Sequence, residues 1–208
     1  MTHPLADGDW LNPAPGCVSD AAGVRITTSP GTDLWQRTYY GFRTDNAPAL
    51  LVPVQDDVTL TVRASFRYGR RYDQAGVLVR LDADTWAKAS IEHEDEGVPR
   101  LGSVVTHDGY SDWATRDVER SQQRWYRVSR RGPDFRFESS ADGDAWEQLR
   151  IFHLHPLGET AAHDAAAPTS ASGSTVLIGV YACSPEQSSF EAVFDRIDLA
   201  PGIWQPHV

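Results

Sequence analysis

Val58-Thr-Leu-Thr-Val-Arg-Ala-Ser-Phe66 alternates with a period of two. Val58, Leu60, Val62, Ala64 and Phe66 fall on one face, and Thr59, Thr61, Arg63 and Ser65 on the other. That pattern predicts a half-buried β-strand with one wet face. Short runs of the same kind recur downstream, over residues 75–81, 86–93, 101–106, 125–131, 135–139, 146–152, 175–182 and 190–199. Others lie upstream, over 24–28, 35–42 and 50–54. Turn chemistry separates them: Asp108-Gly109 and Asp142-Gly143 are hairpin dipeptides, and Glu96-Gly97-Val98-Pro99 breaks another pair. No segment sustains a helical stripe. Short strands at this spacing predict an all-β sandwich or barrel. A two-sheet sandwich accommodates all 208 residues, so one domain over 1–208 is expected.

Composition narrows the function classes. The chain has 19 Lys and Arg against 29 Asp and Glu, a net charge of −10. A global attraction to nucleic acid or to an anionic membrane is not expected. No apolar run reaches the ~20 residues of a membrane span, and residues 1–9 carry neither the basic nor the apolar region of a secretory signal. A cytoplasmic protein is the expectation. Seven Trp, seven Tyr and seven Phe stand beside one Met and two Cys. Such rings serve cores, interfaces and sugar platforms. Cys17 and Cys183 are too few for a disulfide framework and read as reduced thiols.

Residues 153–173, HLHPLGETAAHDAAAPTSASG, lack any alternation and predict a long surface loop. His153, His155, His163 and Asp164 there fit no standard zinc spacing. No dense Asp/Asn loop with calcium spacing is present. Neither a metal nor a cofactor is expected.

Several longer segments carry a resemblance. They are Thr32-Asp-Leu-Trp-Gln-Arg-Thr-Tyr-Tyr-Gly-Phe42, Tyr72-Asp-Gln-Ala-Gly-Val-Leu-Val-Arg80 and Trp86-Ala-Lys-Ala-Ser-Ile-Glu92. Ser103-Val-Val-Thr106, Tyr110-Ser-Asp-Trp113 and Gly179-Val-Tyr-Ala-Cys-Ser-Pro185 follow in order. From Trp10 to Phe194 the chain resembles the DUF1349 family. The resemblance implies a concanavalin A-like lectin/glucanase fold, a jelly-roll sandwich of two curved antiparallel sheets with ligands on the concave sheet. It implies no established reaction. A yeast member is linked to control of a glycolytic enzyme, enolase, and related domains are appended to some glycoside hydrolases.

Alternation selects candidate binding residues. Along 86–92, Lys88, Ser90 and Glu92 share one face, while Ala87, Ala89 and Ile91 pack inward. Along 35–39, Trp35, Arg37 and Tyr39 share a face and resemble a sugar platform of flat rings beside a guanidinium. The alternative is that both rings are core and Arg37 an exposed pair partner. Tyr72 and Gln74 enter a strand from a loop, and the resemblance favours a site role for them. Asp73 and Gly76 equally read as a backbone cap and a close-packing position. Ser111, Asp112 and Trp113 form another polar-aromatic cluster.

Catalytic patterns are weak. Glu92 and Glu94 share a face, but Glu94 sits at the mouth of an acidic turn, and paired-carboxylate hydrolysis needs two groups at set separations. No nucleophile elbow or phosphate loop occurs. Cys183, at a strand end, is reactive only if a cation lowers its pKa; burial is the commoner fate. The leading expectation is a non-catalytic module binding a carbohydrate or small intracellular metabolite. Trp35, Arg37, Tyr39, Tyr72, Gln74, Lys88, Glu92 and Trp113 would be its contacts. The alternatives are a regulatory domain that contacts a glycolytic enzyme, and a glycoside hydrolase or lyase that uses Glu92.

Overall fold

The computed structural model describes residues 2–160, 174–202 and 204. In chain order the strands are β1 (Asp9–Leu11), β2 (Val18–Asp20), β3 (Gly23–Thr27), β4 (Leu34–Gln36), β5 (Arg43–Asp45), β6 (Ala49–Val54), β7 (Val58–Phe66) and β8 (Gln74–Arg80). They continue with β9 (Trp86–Glu92), β10 (Arg100–His107), β11 (Tyr110–Asp117), β12 (Gln123–Arg131), β13 (Asp134–Ser140), β14 (Glu147–His153), β15 (Val176–Cys183) and β16 (Glu191–Pro201). Two seven-stranded antiparallel sheets form, ordered β1-β6-β15-β8-β9-β10-β11 and β14-β13-β12-β7-β16-β3-β2. The all-β sandwich predicted from the period-two runs, with the jelly-roll form that the family resemblance implies, is the architecture found. Strand β7 has the bounds read from the sequence.

One face of each sheet packs on the other. Leu60, Val62, Ala64 and Phe66 of β7 meet Ala75, Val77 and Val79 of β8 and Ala87, Ala89 and Ile91 of β9 in a single apolar cluster. Each large side chain fully buried there contributes about 1.5–3 kcal/mol. A second cluster lies on the opposite face of the first sheet, where Leu51, Leu78, Trp86 and Tyr181 meet Leu34, Trp35 and Ala47. That face is therefore covered too, and β8 and β9 are buried along their whole lengths.

The cover is a separate ribbon of β4 and β5, and here the sequence reading needs correction. Residues 35–42 are not one strand. Strand β4 stops at Gln36, whose backbone N–H donates to Ser111 Oγ at 2.9 Å. The chain then reverses through left-handed residues, with φ of 52° at Arg37, 63° at Tyr39 and 77° at Gly41. Such angles are rare outside glycine and left no signal in the alternation. Side chains fix the ribbon to the first sheet. Arg80 grips Asp45 at 2.7 and 2.8 Å, and Arg43 Nη2 lies 2.6 Å from Asp84 Oδ1.

The segment read as a loop over 153–173 is partly regular. His153 closes β14 and His155–Leu157 form a 3-10 turn. His153 Nδ1 lies 2.8 Å from Asp134 Oδ1, a pairing within the sheet. Residues 161–173, with His163 and Asp164, lie outside the described residues. Strands β1, β2, β5 and β11 were not anticipated; β11 is polar and mostly exposed, so it gave no apolar alternation.

Candidate functional site

A groove of about 300 Å³ lies on the outer face of the first sheet, beside the β4–β5 ribbon. Register brings its floor together. Gln74 on β8 is paired with Glu92 on β9, and Leu78 with Lys88. Lys88 is paired in turn with Val104 on β10, and Val104 with Trp113 on β11. Glycines give the floor its depth. A Cβ at Gly76 would come within 1.9 Å of the Ala89 carbonyl oxygen, and one at Gly102 within 3.3 Å of Trp113 Nε1. Position 102 thus lets the Trp113 indole lie across β10, and position 76 is reserved for close strand approach, as its sequence context indicates.

Polar groups populate this floor although little of each is exposed. Lys88 is 2% exposed and Glu92 6%. Lys88 Nζ lies 3.1 Å from Asp33 Oδ1 and within 6 Å of the Trp86 and Tyr181 ring centroids, at 5.8 and 5.6 Å. Burial works against the ammonium, but Asp33, with Cys183 and Glu92 adding to it, holds its pKa above the ordinary value. Gln74 Oε1 accepts from Tyr181 at 2.8 Å and from Ser90 at 3.3 Å, and Gln74 Nε2 donates to the Tyr72 carbonyl at 3.3 Å. Glu92 differs from these neighbours. Among the described residues its carboxylate makes no hydrogen bond or ion pair. Burial pushes its pKa up to about 7; Lys88 and Arg100 oppose the rise, and Asp33 and Glu94 add to it.

The walls are aromatic. Trp35, Tyr40, Phe42, Tyr72 and Trp113 line the groove. Trp35 makes edge contacts with Tyr40 at 5.6 Å and Trp113 at 6.4 Å between centroids. The indole Nε1 groups of Trp35 and Trp113 are buried without an acceptor. Buried donors are nearly always paired, so two orphans in one wall are unusual.

The structure therefore brings Trp35, Tyr72, Gln74, Lys88, Glu92 and Trp113 around one groove. Arg37 and Tyr39 are not among its lining residues, because β4 ends before them. Arg37 turns away to donate to the Gly109 carbonyl at 3.0 Å, with its guanidinium 5.5 Å from the Tyr110 ring centroid. Tyr39 stands at the tip of the turn, 94% exposed. Lys88 has its charge taken up by Asp33 rather than left free for a ligand. Ser111 is structural, accepting from Gln36 N–H and lying 2.8 Å from Thr106 Oγ1. Asp73 caps the backbone N–H groups of Gly69 and Arg70 at 2.8 and 2.9 Å.

Asp33, Tyr40 and Phe42 were missed. Asp33 had a signal: a lysine between Ala87 and Ala89 on a buried strand requires an acidic partner. Glu94 is held by Arg71 at 2.7 Å and Arg100 at 3.5 Å and does not line the groove, so it is not a free second carboxylate beside Glu92. Both cysteines are free thiols, and burial above all, then Asp33, pushes Cys183 well above the ordinary thiol value. Among the described residues no helix is long and apolar enough to cross a membrane, and no group of His, Cys, Asp or Glu side chains is disposed to hold a metal ion.

Comparison with known proteins agrees with this fold. Regulation of enolase protein 1 of Saccharomyces cerevisiae is 34% identical over 196 residues, covering 94% of this chain and 90% of the relative. The crystal structure of a functionally unknown protein from Saccharomyces cerevisiae superposes with a TM-score of 0.81 at 31% identity, over 96% of this chain and 99% of that one. The GH43 BlXynB protein of Bacillus licheniformis superposes with a TM-score of 0.68 at 15% identity, over 95% of this chain and 38% of that one, a likeness of fold alone. The family model described as "Protein of unknown function (DUF1349)" matches residues 10–202. With that span and that degree of identity to a full-length relative, the chain belongs to the DUF1349 family.

Proposed function

We propose that the protein is a non-catalytic binding module whose ligand, a carbohydrate or similar polyhydroxylated metabolite, lies in the groove on the first sheet. The observation that carries this reading is the pairing of a buried polar floor with aromatic walls. Gln74 and Glu92 offer hydrogen-bonding groups to hydroxyls, and the rings of Trp35, Tyr72 and Trp113 offer faces for apolar sugar surfaces. We read the protein as cytoplasmic, which its free thiols support.

Trp35 and Trp113 provide the assay. Their fluorescence is titrated with a panel of monosaccharides and sugar phosphates, against the Trp35→Ala and Gln74→Ala variants. Saturable quenching that both variants weaken by tenfold or more supports the site. A verified ligand that binds both variants unchanged places the site elsewhere.

One observation favours a second reading, a regulatory contact with another protein. Tyr39, Tyr40 and Phe42 are 94%, 54% and 47% exposed at the tip of the ribbon, and a relative carries the name Regulation of enolase protein 1. Exposed rings of this kind anchor protein interfaces. Stoichiometric co-purification of a glycolytic enzyme, lost in a Tyr39→Ser, Phe42→Ser variant, favours that role; absence of any such partner counts against it.

A further inference from the structure

We propose that the groove selects a ligand bearing an ammonium group, an amino sugar within the carbohydrate reading, with Glu92 as its counter-ion. The location of the ligand rests on the reading above; the charge preference rests on Glu92.

Lys88, Arg100 and Arg71, the cations the groove could offer to Glu92 among the described residues, each already have an anion. Lys88 is bound to Asp33 at 3.1 Å. Arg100, paired in register with Glu92, points its Nε at Glu94 at 3.5 Å. Arg71 is held by Glu94 at 2.7 Å, with its guanidinium 4.5 Å from the Tyr72 ring centroid. Among the described residues the Glu92 carboxylate has neither a hydrogen-bond donor nor a cation within 4 Å, although the residue is only 6% exposed. Glu186 adds a second carboxylate to the lining. A buried carboxylate is costly unless it is paired. A neutral sugar leaves that cost in place, whereas an ammonium group removes it. The walls act in the same direction, since Trp35, Tyr40 and Phe42 line them and aromatic π systems attract a cation.

Titration should follow. The groups facing Glu92 are Lys88 and Glu94 near it along the chain, Asp33 before the ribbon, Tyr72, Arg100 on β10, and Tyr181 and Cys183 on β15. Their balance and burial leave Glu92 titrating at about 7. A cation of fixed charge therefore binds more tightly as pH rises through that value.

The experiment is calorimetric titration of the whole chain with glucosamine, glucose and choline at pH 7, where the glucosamine amine is still mostly an ammonium group and Glu92 is about half ionised. The proposal expects glucosamine to bind at least tenfold more tightly than glucose. It expects Glu92→Gln, an isosteric change, to abolish that preference. Independently of any variant, choline affinity of the native protein should fall about tenfold per unit below pH 7. Choline binding with no response to either sugar upholds the ammonium preference and overturns the carbohydrate reading. Equal affinity for glucose and glucosamine overturns the charge preference and leaves carbohydrate binding standing. Failure of both glucosamine and choline to bind at 20 mM overturns the proposal, as does a preference that survives in folded Glu92→Gln.

Discussion

Lys88 Nζ and Asp33 Oδ1, 3.1 Å apart, tie a central strand of the first sheet to the segment that leads into the covering ribbon. Asp33 Oδ1 also accepts from the Leu34 N–H at 2.7 Å, so one carboxylate both starts β4 and neutralises the buried ammonium. Asp33→Asn leaves Lys88 charged and uncompensated. The expected loss is about 3–5 kcal/mol. The double variant Asp33→Asn, Lys88→Met removes the stranded charge and should recover much of that loss. Urea denaturation of the two single variants and the double variant checks both statements.

Glu92 makes stability depend on pH. Its pKa in the folded chain, raised from 4.5 to about 7, means the folded state holds a proton that the unfolded chain releases earlier. The contribution is therefore complete below pH ~4.5 and lost as pH rises through ~7. At about 1.4 kcal/mol for each tenfold in proton affinity, the loss between those limits is roughly 3 kcal/mol. Glu92→Gln cannot ionise, so its stability curve should lack this decline, and the variant should melt above the native protein at pH 8. Melting curves from pH 4.5 to 8 decide it; parallel profiles for the two proteins would overturn the assignment.

Tyr39 combines near-complete exposure with a φ of 63°. A side chain at such an angle costs about 1–2 kcal/mol, which glycine avoids at the expense of a more flexible unfolded chain. Tyr39→Gly should leave stability unchanged or raise it by up to about 1 kcal/mol, despite the loss of an edge contact with Tyr40. A loss greater than about 1 kcal/mol would show that the ring, not the backbone angle, determines the turn.

The two thiols should differ in reactivity. Cys183 is fully buried and its thiol is pushed well above the ordinary value, chiefly by desolvation. Cys17 is only partly buried, with a smaller rise. Under native conditions Ellman's reagent should label Cys17 and leave Cys183 untouched until the protein unfolds. Labelling followed by peptide mapping identifies the site; rapid native modification of Cys183 contradicts the packing described.

Period-two patterning exposed the sandwich because each half-buried strand writes its two faces into alternate residues, as β7 does. Strand β9 was subtler. Lys88, Ser90 and Glu92 were correctly separated from Ala87, Ala89 and Ile91 as a face, but the polar side is nearly as buried as the apolar side because the ribbon covers it. That cover comes from long-range contacts that leave no local trace. The turn at 37–42 misled for a related reason. Its bulky residues sit at left-handed angles that side-chain identity does not advertise, so Arg37 and Tyr39 looked like neighbours of Trp35 on a strand. Asp33 escaped because it acts on Lys88, which is 55 residues away in sequence.

The ribbon of β4 and β5 shares no backbone ladder with either large sheet. Its tip nevertheless supplies Tyr40 and Phe42 to the groove wall. Scaffold and selectivity are thus encoded in separable stretches of the chain. Residues 37–42 can be exchanged for loops of other length or composition without breaking a hydrogen bond within either sheet. That makes the tip an interchangeable jaw: a place where evolution or an engineer can retarget the protein while the sandwich beneath keeps folding as before.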